Sequence, residues 1–368
     1  MRITFVISSL QMGGAERAAS LLCNHWAREG HHVHVFTFDN PAQPPFYALE
    51  PAVAHTPLGI LRESRSLLQA VLNTFWRNSV IRRAIQGSRP DVVVSFMDTT
   101  NVRVLAATVG LAVPVIVSER TDPALHDIGR VWRLLRTLTY PLATAVVTQT
   151  HGALLALPRL IRGKGTIIGN AVQAPEKTQG QPQHTLPRPT ILSVGRISSG
   201  KGFSTLLEAF ATIAEQYPQW HLTLVGEGEA RATLETRTKA LALTERIHFL
   251  GASTQVGELL RQGDIFALAS RYEGFPNALC EALAHGLPVV ATDTLGAKEV
   301  LRHEHNGLLT PVGEAAALGK ALARLMGDGA LRQHMASHGP EILLTHSVEQ
   351  VSAQWINLLR QSEQGRKR

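Results

Sequence analysis

Cysteine is nearly missing: Cys23 and Cys280 are the only two, and they lie far apart in the chain. That excludes a disulfide framework and a thiolate zinc site, and it suits a reducing cytoplasm. No Asp-x-Asp pair occurs anywhere, so a divalent-cation clamp is not indicated and neither a metal nor a cofactor is expected. Long hydrophobic runs are also absent. The longest, Val104 to Val117, is interrupted by Gly110 and Pro114 and is too short to span a bilayer. The apolar start Ile3–Ile7 runs into polar Gly13-Gly14-Ala15-Glu16-Arg17, unlike a cleaved signal. No helix-turn-helix, zinc or aromatic RNA-binding signature appears, so nucleic acid is not an expected partner.

A hydrophobic content of 44% with 18% charged residues describes a globular protein, and 368 residues suit two domains of ordinary size. Acidic charge is scarce in the first half. Residues 1–170 hold 17 Lys+Arg against 10 Asp+Glu, so the whole formal excess of +7 lies there. An anionic membrane surface, a diphosphate-bearing substrate or nucleic acid would each explain it, as would a basic protein with no charged partner.

Both halves begin alike. Arg2–Ser9 reads as a strand leading into a Gly-Gly turn and a helix from about Ala15, with Ala18, Leu22 and Trp26 on one face. Thr190–Val194 is again a strand, followed by a Gly-rich loop and a helix from Ser204 to about Gln216. Further strands are expected at His32–Phe38, Asp91–Phe96, Val113–Ser118 and Ala143–Thr148 in the first half. In the second they fall at His221–Val225, Arg246–Leu250, Asp264–Ala269 and Pro288–Thr292. Between the halves, Ala174–Pro189 has a linker composition. Strands alternating with helices predict parallel sheets covered on both faces: an α/β chain of two doubly wound, Rossmann-like domains facing across a cleft.

The densest functional string is Glu273-Gly274-Phe275-Pro276-Asn277-Ala278-Leu279 with Glu281 behind it. It follows a short apolar strand, and Pro276 suits the first turn of a helix. Glu273 then sits on a strand-to-helix loop and Glu281 about a turn into the helix. Two carboxylates there can accept hydrogen bonds from a polyhydroxylated ligand, while the helix N-terminus offers amides to a phosphate. Gly195-Arg196 and Lys201-Gly202 set two cations in a loop that can approach a diphosphate closely. Solvated surface charges are the plain alternative for each feature taken alone.

Together, Gly13-Gly14-Ala15-Glu16-Arg17, Ile168-Gly169-Asn170-Ala171-Val172, the Arg196–Lys201 loop, Val225-Gly226-Glu227-Gly228 and the Glu273…Glu281 string resemble a family 4 retaining glycosyltransferase of GT-B fold. The opening motif and Ser118-Glu119-Arg120-Thr121-Asp122-Pro123 look most like bacterial enzymes that extend polyprenyl-diphosphate-linked oligosaccharides, some of which add N-acetylgalactosamine.

The resemblance implies an acceptor domain over 1–172, with a final helix of about 347–368 packed back on it, and a nucleotide-sugar domain over 173–346. It implies that Arg196 and Lys201 hold the donor diphosphate, Glu281 the ribose, and Glu273 the transferred sugar. The string Gly274, Phe275, Pro276, Asn277, Ala278 and Leu279 assists through its backbone, Gly13 and Gly14 approach the phosphates, and Arg246–Gly251 flanks the base. The implied partners are a nucleotide-sugar donor, uridine-linked in this reading, a lipid-diphosphate-linked saccharide acceptor and an anionic membrane surface on the cytoplasmic side.

Many relatives place a His after the strand where this chain has Glu119-Arg120. Arg120 is then expected on a phosphate and Glu119 on the acceptor hydroxyl, with a structural ion pair as the alternative; His126 and His151 are further candidates. Arg62–Ala84 reads as a basic amphipathic helix, with Leu68, Val71, Leu72, Phe75 and Ile81 apolar, that either lies on a membrane or packs on its own sheet. A second cluster joins Arg130, Arg133 and Arg136 to Trp132 and Leu135. A mannosyl- or glucosyltransferase, a sugar-nucleotide epimerase and a nucleic-acid binder remain the competing readings.

Overall fold

The computed structural model describes residues 1–42, 44–61, 66–121, 126–175 and 184–367. The chain divides into two units, Met1–Ala171 with Val348–Arg368, and Val172–Ser347. The first unit holds β1 (Arg2–Ile7), β2 (His32–Thr37), β3 (Ala54–Pro57), β4 (Val92–Phe96), β5 (Val115–Ser118), β6 (Ala145–Thr148) and β7 (Gly165–Ile167). They form one parallel sheet in the order β3-β2-β1-β4-β5-β6-β7. The second unit holds β8 (Thr190–Val194), β9 (His221–Val225), β10 (Ile247–Gly251), β11 (Ile265–Leu268), β12 (Val289–Thr292) and β13 (Leu308–Thr310), ordered β10-β9-β8-β11-β12-β13. In each sheet the winding reverses beside the first strand, between β1 and β4 and between β8 and β11.

Alternation along the strands shows why both faces are covered. In the first unit Ile3, Phe5, Val92, Val94 and Phe96 enter one core, whereas Val6 and Val93 enter the other. In the second, Ile265 and Ala267 face one core and Phe266 and Leu268 the opposite one. A strand buried on both sides has no polar alternation, which is why these segments are short unbroken apolar runs.

The helix Val348–Lys367 returns to the first unit. Its Val351, Trp355 and Leu359 recur every fourth residue and are fully buried in the core that holds Trp26. The Trp355 ring stands edge-on to Trp26 at 6.3 Å and lies 5.7 Å from Phe96.

Three strands differ from expectation. β3, β7 and β13 are edge or near-edge segments of three or four residues, too short to carry a pattern. The basic helix runs from Leu67 to Ser88, four residues beyond Ala84, with Ser66 accepting from the Gln69 amide at its start. Arg62, Arg65, Asp122 and Pro123, and linker residues 176–183, lie outside the described residues.

Replacing Trp355 by Ala is expected to destabilise the first unit by about 3–5 kcal/mol. Urea unfolding followed by circular dichroism measures this, with exposed Leu344→Ala as a control that shifts little.

Candidate active site

The loops after β8 and β11 leave adjacent strands at the point where the second sheet reverses, the position where open α/β sheets bind ligands. Close packing joins them. Gly202 has φ +65°, and a Cβ there would fall 1.8 Å from the Ala269 carbonyl oxygen. Gly226, after β9, has φ +141°, and a Cβ would fall 1.9 Å from the Gly195 oxygen. The Arg271 amide donates to the Gly200 carbonyl across 2.9 Å. Only glycine permits these loops to lie so near one another.

This packing brings Lys201 and Glu273 into contact. Lys201 Nζ donates to Glu273 Oε1 at 2.7 Å, and Ser270 Oγ donates to the same oxygen at 2.6 Å. Thr292 Oγ1, at the end of β12, fixes the Ser270 carbonyl at 2.6 Å. Glu273 is buried, while Lys201 is about one-third exposed, so the carboxylate is held by a cation that still reaches solvent. Arg196, on the same loop, is exposed and forms no side-chain hydrogen bond or ion pair among the described residues.

Behind Glu273, the helix Asn277–Ala284 starts directly after Pro276. Its ladder opens with the Cys280 amide donating to the Pro276 carbonyl, so the Ala278 and Leu279 amides precede it. Phe275 is buried and packs 5.4 Å from the His346 ring. Glu281, one turn along, is also buried. Burial pushes the Cys280 thiol well up, and the negative charges of Glu281 and Glu273 push it further. Gly274 lies in the bend between Glu273 and Phe275. Of the segment Arg246–Gly251, Arg246 instead binds the Trp220 and Tyr217 carbonyls at the amino end of β10. Only its far end reaches the loop edge, where the Gly226 amide meets the Gly251 carbonyl.

In the first unit, Gly13 and Gly14 open the helix Gly14–Arg28, and a Cβ on Gly13 would meet the Glu16 carboxylate. That carboxylate also acts on Arg120, whose guanidinium lies 3.6 Å above the Phe96 ring. Burial lowers the Arg120 pKa to about 9, with Glu16 opposing the fall. Arg120 Nε and Nη2 are buried without a hydrogen-bond partner among the described residues. The Gly-Gly-Ala-Glu-Arg motif and Arg120 thus share one corner at the carboxyl end of the sheet.

Glu119 turns the other way. It is fully buried, accepts from the Tyr140 hydroxyl at 2.5 Å and lies 3.6 Å from Arg136 Nη1. Asn101 Nδ2 links Tyr140 to the Ser118 carbonyl at 3.0 and 2.9 Å. Glu119 therefore has the ion pair that the sequence allowed, but with Arg136 in place of Arg120. Burial raises its pKa to about 7 against the opposing pull of Arg136 and Tyr140. His126 pairs with buried Asp98 at 3.5 Å, and His151 starts a short helix with its side chain exposed. No local pattern marks Asp98, Asn101 or Tyr140: His126, the ion-pair partner of Asp98, and the side-chain partners of Asn101 and Tyr140 lie 17 or more residues away.

The two basic helices divide their residues differently from expectation. On Leu67–Ser88, Ile81 and Ile85 pack inward, while Val71, Leu72 and Phe75 are exposed, Phe75 to 71%. Arg77 donates to the Ile60 carbonyl and Arg82 to those of Ala107 and Val109, so both are spent within the unit. On the helix Arg130–Thr139, Val131, Leu134 and Leu138 are exposed and Arg136 is buried. Among the described residues, no helix is long and apolar enough to cross a membrane.

Residues 13–170 match the glycosyl transferase 4-like domain, and residues 176–341 match glycosyl transferases group 1. The chain belongs to this glycosyltransferase family, and its two parallel-sheet units are the Rossmann-like domains of the GT-B fold. It is 27% identical over 361 residues, 98% of each chain, to the GalNAc-alpha-(1->4)-GalNAc-alpha-(1->3)-diNAcBac-PP-undecaprenol alpha-1,4-N-acetyl-D-galactosaminyltransferase of Campylobacter jejuni. It is 28% identical over 254 residues to that organism's N-acetylgalactosamine-N,N'-diacetylbacillosaminyl-diphospho-undecaprenol 4-alpha-N-acetylgalactosaminyltransferase, covering 66% of this chain and 69% of that one. The crystal structure of Anabaena HepE in complex with UDP and glucose superposes with TM-score 0.82 at 20% identity, covering 98% of this chain and 100% of that one.

The Glu119 carboxyl yields a signed prediction. Between its ordinary value near 4.5 and about 7, the native state keeps a proton that the unfolded chain has lost, so stability falls as pH rises through that window. The effect is bounded at roughly 3 kcal/mol. Urea midpoints between pH 5 and 8 should fall less in Glu119→Gln than in wild type. Equal slopes would show that Glu119 is ionised throughout.

Proposed function

We propose that the protein is a retaining, metal-independent hexosyltransferase that moves an N-acetylhexosamine, such as GalNAc, from a UDP-sugar to a polyprenyl-diphosphate-linked saccharide. The observation that carries this reading is the Lys201–Glu273 pair at the reversal point of the second sheet, beside a helix N-terminus. Both Campylobacter relatives bear names of GalNAc transfer to undecaprenyl-diphosphate saccharides, and the HepE structure holds UDP, which support the donor and acceptor classes.

In the proposed reaction an acceptor hydroxyl attacks the anomeric carbon as the bond from that carbon to the diphosphate oxygen breaks. The hydroxyl proton passes to the departing phosphate oxygen, giving the extended saccharide and a nucleoside diphosphate. Arg196 and Lys201 neutralise charge growing on the diphosphate, an interaction stronger in the transition state than before it. Glu273 accepts from sugar hydroxyls through the oxygen not taken by Lys201 and Ser270. Glu281 receives the ribose hydroxyls, and the amides from Phe275 to Leu279 meet phosphate or sugar. Gly13 and Gly14 provide a side-chain-free loop for phosphate, with Arg120 as the buried cation of the first unit. Metal independence rests on the missing Asp-x-Asp pair.

The decisive experiment supplies a panel of nucleotide-sugars with a defined polyprenyl-diphosphate glycan and reads products by mass spectrometry. UDP-GalNAc should give one added N-acetylhexosamine, α-linked and insensitive to EDTA. Lys201→Ala should lower kcat about 10²–10³-fold, and an unchanged rate in Arg120→Ala would remove Arg120 from the site. Donor hydrolysis with no transfer to any lipid-linked acceptor would overturn the reading.

The exposed apolar residues of Leu67–Ser88 and Arg130–Thr139, set among cations, support a contact with an anionic bilayer. Sedimentation with anionic liposomes should show binding that weakens with salt and is lost in a Val71→Asp, Phe75→Asp variant. Binding confined to neutral vesicles counts against it.

A further inference from the structure

The helix Gly329–His338 carries His334 and His338 four residues apart, a spacing that sets both rings on one face. Facing them is His305, in the turn before β13. That turn is rigidly held: the His305 amide donates to the Arg302 carbonyl at 3.0 Å, and the Arg302 amide to Asn306 Oδ1 at 2.8 Å. Ring centroids of His305 and His338 are 4.3 Å apart, and those of His334 and His338 are 4.5 Å apart. One ligating nitrogen from each of the three lies within 4.8 Å of the other two.

The surroundings of two of the rings leave one nitrogen in each to carry a lone pair. His338 Nδ1 sits 2.7 Å from the His334 carbonyl, so it donates there and Nε2 is the unprotonated nitrogen. His305 Nε2 sits 3.1 Å from Glu341 Oε2, and Arg302 Nη2 donates to the same carboxylate oxygen at 2.8 Å. An ionised carboxylate on one imidazole nitrogen raises the basicity of the opposite one, and this second layer commonly accompanies histidine ligands to metals. Without an ion, three crowded imidazoles gain little from one another.

We propose that His305, His334 and His338 bind a divalent transition-metal ion of the zinc class, with Glu341 positioning His305. Nitrogen ligands about 2.0–2.1 Å from such an ion lie nearer one another than 4.8 Å, so binding draws the rings together by side-chain rotation. Imidazoles select Zn²⁺, Ni²⁺, Co²⁺ or Cu²⁺ over Mg²⁺ and Ca²⁺. The ion would clamp the 302–307 turn to the helix Gly329–His338. It lies on side chains outside those assigned to donor or acceptor, so it is independent of the proposed sugar transfer.

The test uses the tag-free full chain, stripped by chelator, titrated with Zn²⁺ and separately with Mg²⁺ by calorimetry. One Zn²⁺ equivalent is expected, no Mg²⁺, and a thermal transition raised by Zn²⁺. His334→Ala and His338→Ala should each weaken that equivalent by tenfold or more, and Glu341→Gln by about tenfold. Co²⁺ absorption gives a second readout, with a tetrahedral nitrogen-ligand spectrum lost in His334→Ala. Zn²⁺ affinity and Co²⁺ spectrum unchanged in both histidine variants would place any bound metal on the chain's other histidines and overturn the proposal.

Discussion

One charge-assisted hydrogen bond, from Lys201 to Glu273, organises the second unit. It joins loops from two strands that are adjacent in the sheet but separated by 72 residues of chain. A buried carboxylate without a cation would be costly, and hydrogen bonds involving a charged group contribute about 1.5–3 kcal/mol. The loops can meet only because Gly202 and Gly226 lack a Cβ where a carbonyl oxygen stands. Ser270 and Thr292 then extend the order to a third strand end. For the proposed donor diphosphate, Lys201 is already oriented by Glu273 and Arg196 is unengaged. One cation is preorganised and the other is free to adapt.

The first unit handles its polar groups differently. Glu119 and Arg120 are neighbours just past the end of β5, yet their side chains meet different partners. Glu119 joins Tyr140, Arg136 and Asn101 in a closed network, while Arg120 lies on Phe96 toward Glu16. Positive φ at Met97, directly after β4, adds local strain at the same sheet end. The network consumes hydrogen-bonding capacity internally. Arg120 keeps two buried donor nitrogens unused, and that asymmetry distinguishes a group available to a ligand from one that holds the framework.

Central strands were legible because burial on both faces leaves unbroken apolar runs such as Val92–Phe96 and Ile265–Leu268. The edge strands Ala54–Pro57, Gly165–Ile167 and Leu308–Thr310 were not, since so few residues leave no periodicity to read. Lys201 and Glu273 were individually evident from their loops, but their contact depends on strand order, which local sequence does not encode. Within Arg246–Gly251, Arg246 holds carbonyls at the amino end of β10 and only Gly251 reaches the loop edge, a division that strand direction sets and local sequence does not show. Tyr140 and Asn101 gave no local signal because their chemistry is created by partners far along the chain.

Formal charge also proved a poor guide to free charge. Of the first-half arginines, Arg77 and Arg82 bind carbonyls, Arg136 is paired with Glu119, and Arg103 lies over Trp132. Arg83, Arg130 and Arg133 remain exposed. Each cation near an anionic surface contributes about 1 kcal/mol, whereas burying a Leu, Val or Phe side chain contributes about 1.5–3 kcal/mol. Val71, Leu72 and Phe75 with Val131, Leu134 and Leu138 therefore outweigh the available arginines in the proposed bilayer contact. In this proposal electrostatics brings the surface near, and apolar insertion holds it. In that proposed contact the excess of basic residues, the first hint of a membrane in the sequence, would be the smaller part of the attraction.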